Sequence, residues 1–376
     1  MRRRRPGHNG QRTRPGPNGQ RRRKQRLPDF GAAVSRNSPD YAPRSQGTTR
    51  RIAQSVGTPV AALPEKYGRR PATATATRGA LRAPEAWAAA ENSLPASEAW
   101  AAARTLCDGA VDRPRRPQLV FVHIFKAAGS TTRATLQAWS QLPRNTTCNF
   151  VEAGKCGRGQ GRARAKARGV ICAHNGRVRV TPALDIVAGH VWYGTFGTPR
   201  PAIYVTCVRE PRAQRVSGQL YVYRKRYGNM TLAAAAGAIS GTFEASRGFY
   251  VNTVKRLGAA LELNDRDPPE ALLAASAART AAALDETFAI VGLTERYATF
   301  YALLAKLLPG APASFWMREA ARRENPSAHS SAAVLGLLSP RATSELNRTL
   351  RYEKVVYDAA VVVHDKRCAA YLYSRA

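Results

Sequence analysis

Acidic residues are scarce in this chain. Its 376 residues hold 25 Asp and Glu against 59 Lys and Arg, a net charge of +34. The imbalance is not confined to a tail: residues 1–117 carry 24 basic and 8 acidic side chains, and residues 118–376 carry 35 and 17. Charge of one sign at this density attracts polyanions, whether uronic or sulfated glycans, nucleic acid or an anionic membrane. No apolar run reaches 18 residues, so no segment reads as a transmembrane helix, and the N-terminal region lacks the apolar core of a secretory signal. The nucleotide-triphosphate loop G-x-x-x-x-G-K-[ST] is missing, and no acid stands out as a partner for it, which argues against a P-loop kinase. The six cysteines (107, 148, 156, 172, 207 and 368) form no zinc-site spacing with the histidines. They leave room for disulfides, with Cys148, Cys156 and Cys172 the favoured set, while Cys207 in an apolar run reads as a buried free thiol.

What is present falls into three parts. Residues 1–80 hold the like-charge blocks Arg2–Arg5 and Arg21–Lys24 among Pro, Gly, Ser and Thr, without apolar periodicity, and are expected to be disordered. Residues 81–116 contain a near-repeat, Pro84-Glu-Ala-Trp-Ala-Ala-Ala90 and Ser97-Glu-Ala-Trp-Ala-Ala-Ala103, which reads as a helical stem. Residues 117–376 alternate short apolar runs with helix-like stretches, the pattern of an α/β domain with a parallel sheet. Strands are expected near 119–124, 169–173, 184–188, 202–208 and 287–291. Helices are expected over 130–141, 211–226, 246–258, 268–284, 294–308 and 341–373, the last with a break. Together they make three α/β/α layers.

The first of these junctions is the most informative. Leu119-Val-Phe-Val-His-Ile124 is a buried strand in pattern, followed by Phe-Lys126-Ala127-Ala-Gly129-Ser130-Thr131-Thr132 and a helix. Free N–H groups at a helix start, beside an ammonium, make an anion site. A second strand, Ala202–Val208, runs into Arg209-Glu-Pro-Arg-Ala-Gln-Arg-Val-Ser217. An Arg at the strand end and a Ser eight residues later on the helix can converge on one phosphate, and Pro211 suits the first turn.

The two elements together resemble those of sulfotransferases that use 3′-phosphoadenosine 5′-phosphosulfate (PAPS). The resemblance is closest in style to the carbohydrate enzymes of the heparan and chondroitin type, and it covers roughly residues 117–373. Weaker echoes are Val291-Gly-Leu-Thr-Glu-Arg-Tyr297, with Thr294 as a helix N-cap, and the closing segment from Asn347, where Glu353 stands in place of the usual Asp. The resemblance implies a P-loop-like sulfotransferase fold. Lys126, Ala127, Gly129, Ser130, Thr131 and Thr132 would hold the 5′-phosphosulfate, and Arg209 with Ser217 the 3′-phosphate. The family's second Arg falls here at Gln214, with Arg215 one place later.

Sulfuryl transfer needs a base for the acceptor hydroxyl and a cation for the leaving phosphate. Lys126 suits the second task. Of the six histidines (8, 123, 174, 190, 329 and 364), His8 lies in the basic leader, His123 inside a strand, and His329 and His364 far along the chain from both motifs. His190, in Ala188-Gly-His-Val-Trp-Tyr-Gly194, follows an expected strand end, where ligands gather in parallel sheets, and the resemblance implies a base there. Glu152 is the alternative base. Trp192, Tyr193 and Phe196 offer ring faces to a sugar or form core. The loop 154–168, with six cations and no acid, reads equally as a lip for an anionic glycan or as an unstructured insertion.

The expected partner is therefore an anionic glycan acceptor, with no metal required. A polyanion-binding protein of the nucleic-acid type is the rival, although no specific nucleic-acid motif accompanies the charge. The resemblance also implies a Golgi membrane or lumenal glycoprotein, and Asn145, Asn229 and Asn347 head glycosylation sequons. The basic leader conflicts with that expectation and reads as readily as a transit peptide.

Overall fold

The computed structural model describes residues 92–145, 147–154, 170–172, 183–193, 200–258, 263, 268–322 and 329–373. The expected disorder of 1–80, the first copy of the Trp repeat, residues 155–168 of the basic loop, Cys156, Phe196, His8 and His174 lie outside the described residues. Six strands form one sheet: β1 (Gln118–His123), β2 (Phe150–Gly154), β3 (Val170–Cys172), β4 (Ile186–Gly189), β5 (Ala202–Val208) and β6 (Phe288–Leu293). Their order is β3-β2-β4-β1-β5-β6, and every pairing is parallel. The helices are α1 (Ala96–Ala102), α2 (Gly129–Ser140), α3 (Pro211–Tyr227), α4 (Leu232–Glu244), α5 (Asn252–Leu257), α6 (Glu270–Thr287), α7 (Tyr297–Leu307), α8 (Ala313–Ala321), α9 (Ser331–Leu335) and α10 (Pro340–Cys368).

Parallel strands carry apolar residues on both faces because helices cover both. Here β1, β4, β5 and β6 are buried at every position. Val120, Val122, Val187, Tyr204 and Val291 join Val254, Leu273, Leu284 and Val356 of α5, α6 and α10 in one core. The alternate residues Leu119, Phe121, Ile186, Ile203 and Ile290 join Leu136, Trp139, Phe300 and Trp316 of α2, α7 and α8 in the other. The domain is thus three-layered α/β. A third cluster, with Val216, Leu220, Phe243, Val334 and Leu346, binds α3, α4, α9 and the first half of α10 together.

Several local expectations are corrected. β2 is a strand where the sequence reading places none, because its half-exposed Val151 and Glu152 break the continuous apolar run. α4 and α8 are added helices; α4 is Ala-rich and started by Thr231, whose hydroxyl accepts from Ala234 N at 3.3 Å. The helix expected over 246–258 shrinks to Asn252–Leu257, because Tyr250 N pairs instead with Thr349 O at 3.0 Å. The last helix has no break before Cys368. Thr294 does not cap α7: it opens a 3₁₀ turn and donates to Val208 O at 3.0 Å.

Residues 92–107 pack onto the domain. At the start of β5, Leu94 N donates to Ala202 O at 2.9 Å and Ala202 N to Asn92 O at 2.8 Å, and Ala99 and Leu106 are fully buried. Cys107 is disulfide-bonded to Cys148, so Cys148 pairs outside the expected 148/156/172 set. Cys207 is a buried free thiol. Asn145 is also buried, its amide donating to Trp139 O at 2.9 Å, whereas Asn229 and Asn347 are exposed. Among the described residues no helix is long and apolar enough to cross a membrane.

Candidate active site

β1 and β5 are neighbours, with His123 opposite Cys207 at their carboxyl ends. From β1 the chain turns toward β2 on one side of the sheet, and from β5 toward β6 on the other. That is a switch point, where parallel α/β sheets open a crevice for ligands. Two motifs separated by some 80 residues of sequence therefore leave the sheet side by side.

The first motif is a tight loop. Lys126 and Ala128 both adopt left-handed backbone, φ 63° and 54°, which costs a residue with a Cβ about 1–2 kcal/mol each. α2 starts at Gly129, and glycine is required there: a Cβ would lie 1.8 Å from His123 Cδ2. Ala127, Gly129, Thr131 and Thr132 are buried, while Ser130 is half-buried. The Thr132 hydroxyl lies in the interior, 3.1 Å from Tyr297 Oη and 3.4 Å from Ala128 O. Its side chain thus braces the helix start.

The second motif meets this loop from the side. Arg209 donates to Lys126 O at 3.4 Å and to Ser331 Oγ at 3.2 Å. Glu210 caps α3 by accepting from Ala213 N at 2.7 Å, with Pro211 in the first helical position. Ser217 is buried in the second turn. Gln214, at the position of the family's second Arg, donates to Phe125 O at 2.8 Å and so ties α3 to the loop. Arg215 lies over the Tyr250 ring at 4.5 Å.

Lys126 holds its ammonium 4.7 Å above the Tyr221 ring. Burial, then the charges of Arg209 and Arg224, keep its pKa below the usual lysine range. Burial likewise lowers that of Arg209. Cations gathered at this cost are poised for an anion. A pocket beside Lys126 is lined by Tyr221, Arg224, Asn229, Met230 and His329. Sequence reasoning misses these residues; only the alignment of Tyr221 and Arg224 on the Ser217 face of α3, at spacings of four and seven, could have signalled two of them.

His190 follows β4 and is half-buried. Its Nδ1 is 3.2 Å from His123 O, and its ring stacks on that of His123 at 4.0 Å. Phe125 separates it from Tyr221, with ring centroids 6.4 and 6.0 Å away. Glu152, on β2, is ion-paired with Arg133 of α2. Tyr193 is core rather than sugar platform, buried edge-on against Tyr204 at 4.8 Å, and Trp192 packs on the same cluster. His364 is buried with Nδ1 3.0 Å from Val291 O, remote from the crevice. His329 comes close in space although far in sequence.

α5 supports this corner. Arg256 accepts from Tyr193 N at 2.7 Å through its carbonyl. Glu353 reaches from α10 to cap α5, accepting from Thr253 N at 2.8 and 3.0 Å and from Val254 N at 3.2 Å. Among the described residues no His, Cys, Asp and Glu cluster could hold a metal ion. No protein-family model matches the chain, and no curated protein matches it significantly, so the sulfotransferase resemblance rests on the two motifs and their placement.

Proposed function

We propose that the chain transfers the sulfuryl group of PAPS to a hydroxyl of an anionic glycan, in a sulfotransferase version of the P-loop-like fold. One observation carries the reading: the Lys126 loop and the Arg209–Ser217 helix start, distant in sequence, lie in contact at the switch point of the sheet. The residues fit the group, because two cations, Lys126 and Arg209, are crowded there at a desolvation cost, beside the start of α2.

When bound, PAPS supplies the activated sulfuryl group. Lys126 and the first-turn amides from Gly129 to Thr131 would hold its 5′ end, Arg209 and Ser217 its 3′-phosphate. The acceptor hydroxyl forms the new S–O bond as the bond to the 5′-phosphate breaks. With Nδ1–H on the His123 carbonyl, Nε2 of His190 carries the lone pair that takes the acceptor proton. Lys126 offsets the charge on the departing phosphate. Glu152 is less suited as base, since its carboxylate is engaged by Arg133. The net charge of +34 supports an anionic acceptor, and the Cys107–Cys148 disulfide supports the lumenal Golgi setting that the resemblance implies.

Calorimetry with adenosine 3′,5′-bisphosphate, against AMP and ATP, tests the reading. Binding should require the 3′-phosphate, and Arg209→Ala should erase that preference. Equal affinity for AMP and the bisphosphate in the wild type would overturn it.

A further inference from the structure

His123 closes β1 and makes three contacts that the proposed chemistry leaves unexplained. Its ring stacks on His190 at 4.0 Å with the planes 20° apart. Its carbonyl meets His190 Nδ1 at 3.2 Å. Its ring edge fills the space a Cβ on Gly129 would need, 1.8 Å from Cδ2 and 2.2 Å from Nε2. One side chain thus touches both the start of the phosphate-binding helix and the candidate base. A phosphate loop needs only some small residue at Gly129, and a core strand only some apolar residue at 123. An imidazole shared between both places serves neither need by itself.

We propose that His123 is the positioning residue for His190: its ring fixes the plane of the His190 imidazole against the start of α2, and its carbonyl fixes the Nδ1–H tautomer. The proposal rests on His190 acting as the base. His190 sits on a loop after β4, and the stack restrains its two side-chain torsions to one plane. A misplacement of about 1 Å in a catalytic group costs on the order of 100-fold in rate.

His123 itself stays neutral, because burial, then His190, Arg256 of α5, Arg133 of α2 and Lys126 of the loop, hold its pKa well below the usual histidine range. Arg133 is paired with Glu152 of β2, whose register partner on β4 is Ala188. Removing the His123 ring takes away the stack on His190 and leaves the backbone carbonyl in place.

The test compares the full chain with His123→Ala, with His123→Gln, which keeps volume but has no ring, and with His123→Phe, which restores one. Affinity for adenosine 3′,5′-bisphosphate should stay within about threefold in all three, and nitrogen NMR of the histidine-labelled chain should still show Nδ1–H on His190, because the backbone carbonyl of residue 123 remains. Turnover of the two ringless variants should fall roughly 10–100-fold through kcat and recover in large part with Phe. An unchanged kcat in either folded ringless variant, or a Phe variant no better than Ala, would overturn the proposal and leave His123 a packing residue. Failure of the base assignment looks different: His190→Ala would then retain near-wild-type turnover.

Discussion

Glu353→Gln tests how burial and hydrogen bonding compete in the support of α5. The wild-type carboxyl is 1% exposed and accepts three close contacts from the backbone N–H groups of Thr253 and Val254. α5 has no capping side chain of its own, so Glu353 fills that role from another helix. Burial pushes its pKa up to about 7, while those donors and Arg256 favour the charged form. Because the folded pKa lies above the ordinary value of 4.5, the folded state retains a proton that the unfolded chain releases. The resulting stabilisation is complete below pH 4.5, declines between 4.5 and 7, and is gone above 7. Its size is about 3 kcal/mol, from the gap between those values at about 1.4 kcal/mol per pKa unit. Gln does not titrate. The stability advantage of wild type over the Gln variant should therefore shrink by about 2–3 kcal/mol between pH 5 and 8, roughly 5–10 °C in Tm for a domain of this size. Urea and thermal melts of both full chains across that range measure it. Parallel pH curves would refute the reasoning and mean that the backbone donors hold the carboxyl near its ordinary pKa.

Lys126→Ala should lower turnover on the order of 100-fold or more by removing the cation at the leaving group, with Tm at or above that of wild type because repulsion from Arg209 and Arg224 is relieved; melting curves alongside the sulfuryl-transfer assay check both. Gly129→Ala should cost about 1–3 kcal/mol through the clash with His123, and most of that loss should disappear in the His123→Ala background, as a double-mutant cycle of melts would show. Cys107→Ser should destabilise by up to about 4 kcal/mol, the chain-entropy figure for a loop of 41 residues, read from urea midpoints under non-reducing conditions. Expressed in a secretory host, the chain should carry glycans at Asn229 or Asn347 and none at Asn145, as mass spectrometry of tryptic peptides would report.

The sheet core was legible because a strand covered on both faces is apolar at every position. The runs ending at His123 and Val208 show this without any periodicity. β2 escaped notice for the opposite reason: a half-exposed strand of five residues carrying Glu152 looks like a loop. Burial on both faces also hides direction, so Thr132 reads as a groove residue, and Tyr193 as either groove or core, until their interior partners Tyr297 and Tyr204 are in place. The Lys126 and Arg209 motifs are local and could be read directly. Convergence of distant residues could not: His329 beside Lys126, Glu353 on the start of α5, and Cys107 on Cys148 are each set by the packing of separate elements.

The turn from Asn145 to Cys148 places two covalent chemistries in competition. The fold spends the Asn145 amide on Trp139 O and the Thr147 hydroxyl on Cys107 O at 2.7 Å, while the next residue closes the disulfide. In a compartment that both oxidises thiols and glycosylates sequons, a sugar on Asn145 could not be buried, and a chain modified there would be barred from its own core. A chain whose Cys148 pairs with Cys107 first withdraws the amide for good. In such a compartment the order of these two modifications, and with it the folding speed at this one corner, would decide what fraction of the product matures.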